Sequence, residues 1–475
     1  MSTHTTWHFF ALCFALITAC ASAPRVQQSQ VQPPQTYQTE TAATTPADTL
    51  WWAAFNDSRL DSLIAQALAY NHNLHAAAAR LKAARAQAKM AGAPLYPQIS
   101  AGSSGLRRKQ NFIGFPIPGQ APGEVISNTS TTYGVSISAA WEIDLWGRLG
   151  ASAAAAQATY QATQATYRGA RMSLAAQTAK AWFATIEARR QLELAQATYE
   201  NSLTNHEQVR TRYERGVRPS LDMRQSKSEL ALSQDRLHQR EQRYEMTIRQ
   251  LEVLIGRYPS GTFAIAENLP QVPHSVPAGL PADLISRRPD LIAVERQFAA
   301  SQANHKAAKR LRYPRISLTA SSGTSSDALG NLLNGDFSVW SLIGNLTQPL
   351  FQGGRIQGNI DLASARENEA VALFAQTVLQ AYSEVENALS AEAHLAKRQT
   401  ALETAAEQAR EARRLAEDRY YRGLIDLLTV LQTRNTAYLT ESQLLVVRQQ
   451  RLQARIDLHL ALGGGFPNRE TVITP

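Results

Sequence analysis

Cysteine is the scarcest of the metal-ligating and nucleophilic residue types in this 475-residue chain. The chain has two cysteines, Cys13 and Cys20, and ten histidines, which excludes a disulfide scaffold and any all-cysteine zinc or iron–sulfur site. The sequence contains neither a Gly-x-x-x-x-Gly-Lys-Ser/Thr phosphate loop nor a His-Glu-x-x-His zinc motif. The histidines are scattered, and His72 and His75 are interpreted as surface helix residues. We therefore expect no catalytic residues and no metal site.

Cys20 is the one residue for which the sequence predicts covalent chemistry. It ends the segment Ile17-Thr18-Ala19-Cys20, after an apolar run that is too short to span a bilayer. The segment resembles a bacterial lipoprotein signal, in which residues 1–19 are removed and Cys20 carries a diacylglycerol and an N-acyl chain such as palmitate. Ala21 follows instead of aspartate, which by the same resemblance indicates the outer membrane. An ordinary signal peptide with an incidental cysteine is the alternative. No cofactor other than these acyl chains is expected.

The composition favours long helices with tight packing of small residues over a β-sandwich. Hydrophobic residues make up 44%, charged residues 18% and aromatic residues 7%, and alanine is abundant from residue 65 onward. The net charge of +9 is spread along apparent helix faces, so it is interpreted as solvated surface and not as a nucleic-acid footprint. No apolar stretch long enough for a transmembrane helix follows the N-terminus. If the chain crosses a membrane, it must do so with strands.

The chain is internally duplicated. Arg212-Tyr213-Glu214-Arg215-Gly216 matches Arg419-Tyr420-Tyr421-Arg422-Gly423 at an offset of 207 residues, and Gly147-Arg148 matches Gly354-Arg355 at the same offset. Tyr96-Pro97 matches Tyr313-Pro314 at an offset of 217, so the first copy holds ten extra residues between these markers. The constant offset predicts helices of fixed length, and the insertion predicts a loop, because loops tolerate insertions.

Each copy is predicted to contain the same elements. A helix (about residues 60–92 and 289–311) ends at Tyr-Pro, because proline cannot continue a helix. Two strands follow, about 95–107 and 130–144 in the first copy and about 313–322 and 337–350 in the second. A helix of about 65 residues, roughly 100 Å long, then leads to a glycine turn and a returning helix. The copies are assigned to residues 51–256 and 289–465, and the remainder to a flexible tether (20–50), a Pro-rich connector (257–288) and a tail (466–475).

The second strand has the alternation of a strand that faces lipid on one side. Its apolar positions alternate with small or polar ones, as they also would in an ordinary half-buried sheet; they are Tyr133, Val135, Ile137, Ala139, Trp141 and Ile143. Four strands cannot close into a barrel, and open sheet edges are not tolerated in lipid. The chain is therefore predicted to oligomerise, so that each subunit supplies part of one shared barrel.

Several motifs together are similar to those of the TolC/NodT family of outer-membrane efflux lipoproteins. They are Trp141–Arg148 (WEIDLWGR), Gln348–Arg355 (QPLFQGGR), the connector segments Gly279–Leu284 and Arg287–Asp290, and the two Arg-Tyr-x-x-Gly turns. With the lipoprotein signal and the duplication, the resemblance covers about residues 51–465.

The resemblance implies an α+β, internally duplicated fold with four transmembrane β-strands per subunit. A homotrimer would form a twelve-stranded barrel in the outer membrane, continued by long helices as a periplasmic α-barrel. The implied function is passive export of drugs, toxic organics or metals, delivered by a periplasmic adaptor and an inner-membrane transporter. No enzyme activity is expected. A type I protein secretion duct and a non-conducting structural lipoprotein are the alternatives.

The resemblance also assigns roles to the two helix turns. Gly216 and Gly423 are expected to cap the long helices and to form the tip that the adaptor grips, together with Arg212, Tyr213, Arg419 and Tyr420. A periplasmic gate is expected just after the tip, and its candidates are Asp426, Asp222, Leu424 and Leu427. For each acid, a solvated turn residue is the alternative interpretation.

Two further groups lie where strands begin or end. The strand–helix corners are expected at Trp146, Gly147, Arg148, Phe351, Gly354 and Arg355. Their aromatic rings either lie at the membrane interface or simply pack the corner. Arg107-Arg108-Lys109 follows the first predicted strand, and it is interpreted either as a contact for lipopolysaccharide phosphates or as part of a soluble loop.

Overall fold

The computed structural model describes residues 50–112, 125–273 and 284–464. The predicted signal peptide, Cys20, nearly all of the tether and the tail 466–475 lie outside the described residues, as does part of the connector. The described chain separates into two compact units. One holds Lys82–Gln161 and Glu295–Ala372, and the other holds residues 50–81, 162–294 and 373–464.

Helices make up most of the described chain. In the first copy they are α1 (Ser58–Tyr70), α2 (His72–Gly92), α3 (Arg148–Glu214) and α4 (Ser220–Leu254). The connector contains α5 (Leu284–Arg287), and the second copy contains α6 (Pro289–Lys309), α7 (Arg355–Tyr421) and α8 (Leu427–Ala461). Helices α3 and α7 have 67 residues each and α4 and α8 have 35 each, which confirms the predicted long helices of matched length. Among the described helices, none combines the length and the apolar character that crossing a membrane requires.

The helix predicted over residues 60–92 is interrupted at Asn71. The Asn71 side-chain oxygen accepts a hydrogen bond from the Leu74 N–H at 3.0 Å, which caps α2, and its amide donates to the Leu254 carbonyl at 3.0 Å. The prediction of one continuous helix was wrong, because the buried Asn71 side chain hydrogen-bonds to main-chain groups and caps a new helix. The chain therefore forms two helices, one on each side of Asn71. The same side chain links α2 to the end of α4.

The four strands form one antiparallel sheet in the order β1-β2-β3-β4. They are β1 (Gln98–Phe112), β2 (Ile126–Ile143), β3 (Arg315–Ser326) and β4 (Ser338–Thr347). Strands β1, β2 and β3 run further toward their hairpins than the predicted bounds. Strand β4 ends earlier, at Thr347, shortly before Pro349, which has no N–H to donate to a ladder. Strands β1 and β4 form the two edges.

The repeat in the sequence is also present in the strand pairing. Ile99 pairs with Ala139, and their counterparts Ile316 and Leu346 pair in the second copy. One face of the sheet carries hydroxyl groups: Ser100 and Ser138 lie 2.8 Å apart, as do Ser321 and Ser341. We call this the serine face. The opposite, apolar face carries Ile99, Ala101, Val135, Ile137, Ala139, Trp141, Ile143, Ile316, Leu318, Ala320, Trp340, Leu342 and Leu346.

The largest hydrophobic core lies in the second unit, where α1 packs against α3. The Asp57 side chain accepts hydrogen bonds from the N–H groups of Arg59 and Leu60 and so caps α1. It also accepts from the indole N–H of the fully buried Trp182 at 2.7 Å. The start of the first copy is thereby fixed to the middle of its longest helix.

The described part of the connector motif has a structural role. The Arg288 guanidinium is buried, and it donates to Asp290 at 2.6 Å, to Glu384 at 2.7 Å and to the Ala461 carbonyl at 3.1 Å. Burial alone would raise the pKa of Asp290, but the hydrogen bonds and charge of Arg288 lower it below its usual value. This cluster joins the start of α6 to α7 and to the end of α8.

Candidate functional site

The first tip turn connects α3 to α4. Gly216 has φ 71°, a left-handed conformation that costs little only for glycine. Its N–H donates to the Tyr213 carbonyl at 2.8 Å, and the Val217 N–H donates to the Arg212 carbonyl at 2.9 Å. This is a Schellman termination of α3, in which Arg212 and Tyr213 take part through their main-chain carbonyls. The Arg212 guanidinium also lies 5.7 Å from the centroid of the Tyr421 ring, and the Tyr213 side chain is 42% exposed.

The second tip turn has the same geometry. Gly423 has φ 77°, its N–H donates to the Tyr420 carbonyl at 3.0 Å, and the Leu424 N–H donates to the Arg419 carbonyl at 2.9 Å. The two turns, which are 207 residues apart, are therefore equivalent in hydrogen bonding. Their side chains are not equivalent, because Tyr420 is 2% exposed where Tyr213 is open to solvent.

A small hydrophobic cluster brings the two turns together. It consists of Val209 from α3, Ala416 and Tyr420 from α7, and Leu427 and Val430 from α8. Because Leu427 is 1% exposed and Leu424 is 69% exposed, the two leucines expected at a gate occupy different environments. In the described chain, Leu427 packs the interior of the tip and Leu424 presents its side chain to solvent.

Arg218 is a tip residue that the sequence reasoning missed. Its guanidinium lies 4.5 Å from the centroid of the Tyr420 ring, and it reaches the Tyr420 carbonyl at 3.5 Å and the Asp222 carboxylate at 3.8 Å. Burial raises the pKa of the Tyr420 phenol, and the charge of Arg218 partly opposes this. Arg218 thus joins the first turn to the second. Its position directly before Pro219 was the available signal, but an isolated arginine in a turn does not indicate a partner 202 residues away.

The two candidate gate acids have different structural roles. Asp426 is exposed and caps α8, where its carboxylate accepts hydrogen bonds from the Thr429 N–H at 2.9 Å and hydroxyl at 2.6 Å. These bonds hold the pKa of Asp426 below its usual value, so it is ionised at neutral pH. Asp222 is buried beside Arg218 in the first turn of α4. At the position equivalent to Asp426, the first copy has Pro219, which has no capping side chain.

The first strand–helix corner is packed within the chain. Gly147 has φ 74° and lies directly before α3. The Trp146 ring stacks on Tyr313 at 5.1 Å between centroids, and its N–H donates to the Pro314 carbonyl at 2.7 Å. At the start of α3, Arg148 pairs with Glu142 at 2.7 Å. The corner therefore fixes the end of β2 against the start of β3.

The second corner has no such packing around its aromatic residue. Gly354 has φ 82° and precedes α7, as Gly147 precedes α3. Arg355 donates to the Gln352 side chain at 2.9 Å. Phe351, however, is 90% exposed, although the first-copy aromatic residue Trp146 is stacked. The counterpart of Tyr313 is Tyr96, which is also exposed.

The features described above are surfaces of the chain. Within residues 50–112, 125–273 and 284–464, no three His, Cys, Asp or Glu side chains gather closely enough to hold a metal ion. The features that the structure does provide are the tip, the two corners and the exposed apolar face of the sheet.

Comparison with known proteins identifies the family. The family described as "Outer membrane efflux protein" matches residues 63–257 and 280–464. The chain is 31% identical to the pyoverdine export outer membrane protein OpmQ of Pseudomonas putida. This alignment spans 466 residues and covers 97% of each chain. It is 31% identical over 430 residues to the toluene efflux pump outer membrane protein TtgF of Pseudomonas putida, covering 90% of this chain and 87% of the relative.

A solved structure agrees with this assignment. The outer-membrane channel OprN superposes with a TM-score of 0.84 at 26% identity, covering 94% of this chain and 99% of that one. The matched regions contain most of both copies of the repeat, both tip turns and all four described strands. The chain therefore belongs to the outer membrane efflux protein family and is an outer-membrane efflux channel protein.

Proposed function

We propose that three copies of this chain form one duct through the outer membrane, the exit component of a tripartite pump. The observation that carries the proposal is the four-stranded sheet, which has an unpaired edge at β1 and at β4 and an exposed apolar face. Three such sheets joined edge to edge supply twelve strands and leave no free edge, as lipid requires. The apolar face then meets the lipid, and the serine face lines the lumen.

The proposal extends to the anchor and the partners. Cys20 carries the acyl chains that tether each subunit to the membrane, and the long helices reach into the periplasm. The tip formed by Gly216, Gly423 and the side chains around them receives a periplasmic adaptor, which links the duct to an inner-membrane transporter. The duct has no catalytic role and needs no cofactor beyond its acyl chains.

The gate is proposed at the second tip turn. Asp426 supplies a negative charge from each subunit, and the exposed Leu424 narrows the same ring. The buried positions of Asp222 and Leu427 favour a structural role for both. The transported compounds are small molecules, since OpmQ is named for pyoverdine export and TtgF for toluene efflux. These cargoes differ at equal sequence similarity, so neither is transferred to this chain.

Conductance of the purified protein in planar lipid bilayers tests this function. We expect a trimer that inserts and conducts weakly, and a larger conductance for Asp426→Asn. Asparagine keeps the oxygen that caps α8 and removes only the charge, so an effect reports on the charge and not on the cap. A stable monomer, or a trimer that never conducts, would overturn the proposal. Loss of tolerance to small toxic compounds in a deletion strain separates small-molecule export from protein secretion.

A further inference from the structure

The apolar face of the sheet carries charge at one place only. Strand residues alternate between the two faces, and the register assigns each position of the four strands to one face. Among the positions on the apolar face of these strands, Arg107 and Lys109 of β1 are the only charged residues. Arg108, between them, belongs to the serine face. Both cationic side chains are exposed in the isolated chain.

Along the membrane normal, these two residues lie at the level expected for a layer of lipid headgroups. On β2, the apolar positions extend from Ile143 to Tyr133, which is about 33 Å along the strand. At the strand tilt of about 40° in membrane barrels, this corresponds to about 25 Å, the height of the lipid-facing band. Tyr133 pairs with Gly105, so Arg107 and Lys109 lie just beyond the band. They lie at its hairpin end, away from the helices.

The immediate surroundings suit a phosphate group. Arg107 and Lys109 are two residues apart, about 7 Å along the strand, so both side chains can reach one phosphate. Their partners on β2 are Thr131 and Thr129, whose hydroxyl groups are further hydrogen-bond donors. No carboxylate occupies the apolar face of any of the four strands, so nothing there neutralises the two cations.

We propose that Arg107 and Lys109 bind a phosphate group of lipopolysaccharide in the outer leaflet of the outer membrane. The inference rests on the proposed function, since it needs the apolar face in lipid and the hairpins directed outward. In that leaflet the phosphates of the lipid A sugars lie at the boundary of the hydrocarbon layer. An arginine can hold such a phosphate with two parallel hydrogen bonds, and the lysine adds a second charge.

The test uses the detergent-purified full-length protein and diphosphorylated lipid A as the probe, with binding followed by native mass spectrometry. We expect the double variant R107Q/K109Q to bind lipid A about 30-fold more weakly, because each cation near a membrane surface contributes about 1 kcal/mol. The matched control R108Q changes the neighbouring charge on the serine face and should bind as the wild type does. Dephosphorylated lipid A should bind the wild type as weakly as lipid A binds the double variant.

The outcomes separate this inference from the proposed function. An equal loss of lipid A binding in R107Q/K109Q and R108Q, or no loss in either variant, would overturn the proposed site. Equally tight binding of phosphatidylglycerol, or displacement of lipid A by millimolar inorganic phosphate, would overturn the assignment to lipopolysaccharide. Outer-membrane fractionation and bilayer conductance of R107Q/K109Q are measured alongside, and both should stay at wild-type levels. A wild-type protein that neither fractionates with the outer membrane nor conducts would instead refute the proposed function.

Discussion

Single residues at the tip show how a repeated backbone can carry different side-chain functions. Gly216 and Gly423 make the same turn and the same hydrogen bonds. After the turn, however, the first copy has Pro219 where the second has Asp426, and only Asp426 caps the following helix. In a trimer built from such a repeat, an exposed helix-capping carboxylate would therefore stand at alternate turns only. This alternation is why we propose the gate at the second turn alone.

Replacing a turn glycine by alanine should destabilise the protein through backbone strain and not through a steric clash. At Gly423 an added side chain would meet no atom within 4 Å, yet φ is 77°. We expect Gly423→Ala to lower the free energy of unfolding by about 1–2 kcal/mol, because a left-handed conformation strains any residue with a Cβ.

Chemical denaturation followed by circular dichroism measures this effect. Gly358→Ala is the matched control. Gly358 lies in α7, where an added Cβ would also meet no atom within 4 Å, but its φ is not positive. It should stabilise the protein slightly, as alanine does within a helix. If both variants shifted the transition equally, backbone strain at Gly423 would not be the cause.

Between elements, the buried Arg288 cluster joins three helices through charged groups. Because Arg288 lowers the pKa of Asp290 below its ordinary value of 3.8, folding favours the ionised carboxylate. The stabilisation is therefore fully present above the pKa of the unfolded chain, and it is lost as the pH falls through the lower pKa of the native state.

Asp290→Asn should reproduce this loss at neutral pH. We expect it to lower the free energy of unfolding by about 1 kcal/mol, a modest value because Asp290 is partly exposed. The difference from the wild type should begin to shrink as the pH falls below 3.8 and should vanish once the pH is below the lower pKa of the native state. Denaturation curves across this range provide the measurement, with Asp361→Asn as the control, because Asp361 is an exposed carboxylate on α7. A difference that persisted in acid would contradict the role given to the carboxylate.

The sequence was informative about elements and less so about contacts between them. Proline positions and the 207-residue offset predicted the long helices, because both act locally along the chain. The break at Asn71, the burial of Leu427 and the contact of Arg218 with Tyr420 were not predictable in this way. Each depends on a partner that is distant in sequence, and no periodicity specifies which distant residues meet.

For the whole molecule, the duplication predicts how subunits join. Within one chain, Ala139 of β2 pairs with Ala320 of β3. The counterpart of Ala139 in the second copy is Leu346 of β4, and the counterpart of Ala320 in the first copy is Ser103 of β1. If a neighbouring subunit continues the sheet with the same geometry, Leu346 lies opposite Ser103 of that neighbour. The exposed Phe351 would then stack on the neighbour's Tyr96, as Trp146 stacks on Tyr313 within the chain.

Cysteine pairs test this register directly. Leu346→Cys with Ser103→Cys should form disulfide-linked dimers and trimers on non-reducing gels, because paired residues on adjacent antiparallel strands have Cα atoms about 5 Å apart, within disulfide range. Leu346→Cys with Ile99→Cys should remain monomeric, because Ile99 lies four residues, about 13 Å, along the same face. Cross-linking of the second pair in place of the first would mean a shifted register. Failure of both pairs in a verified trimer would mean that β1 and β4 do not meet, and that the internal repeat does not extend across the subunit boundary.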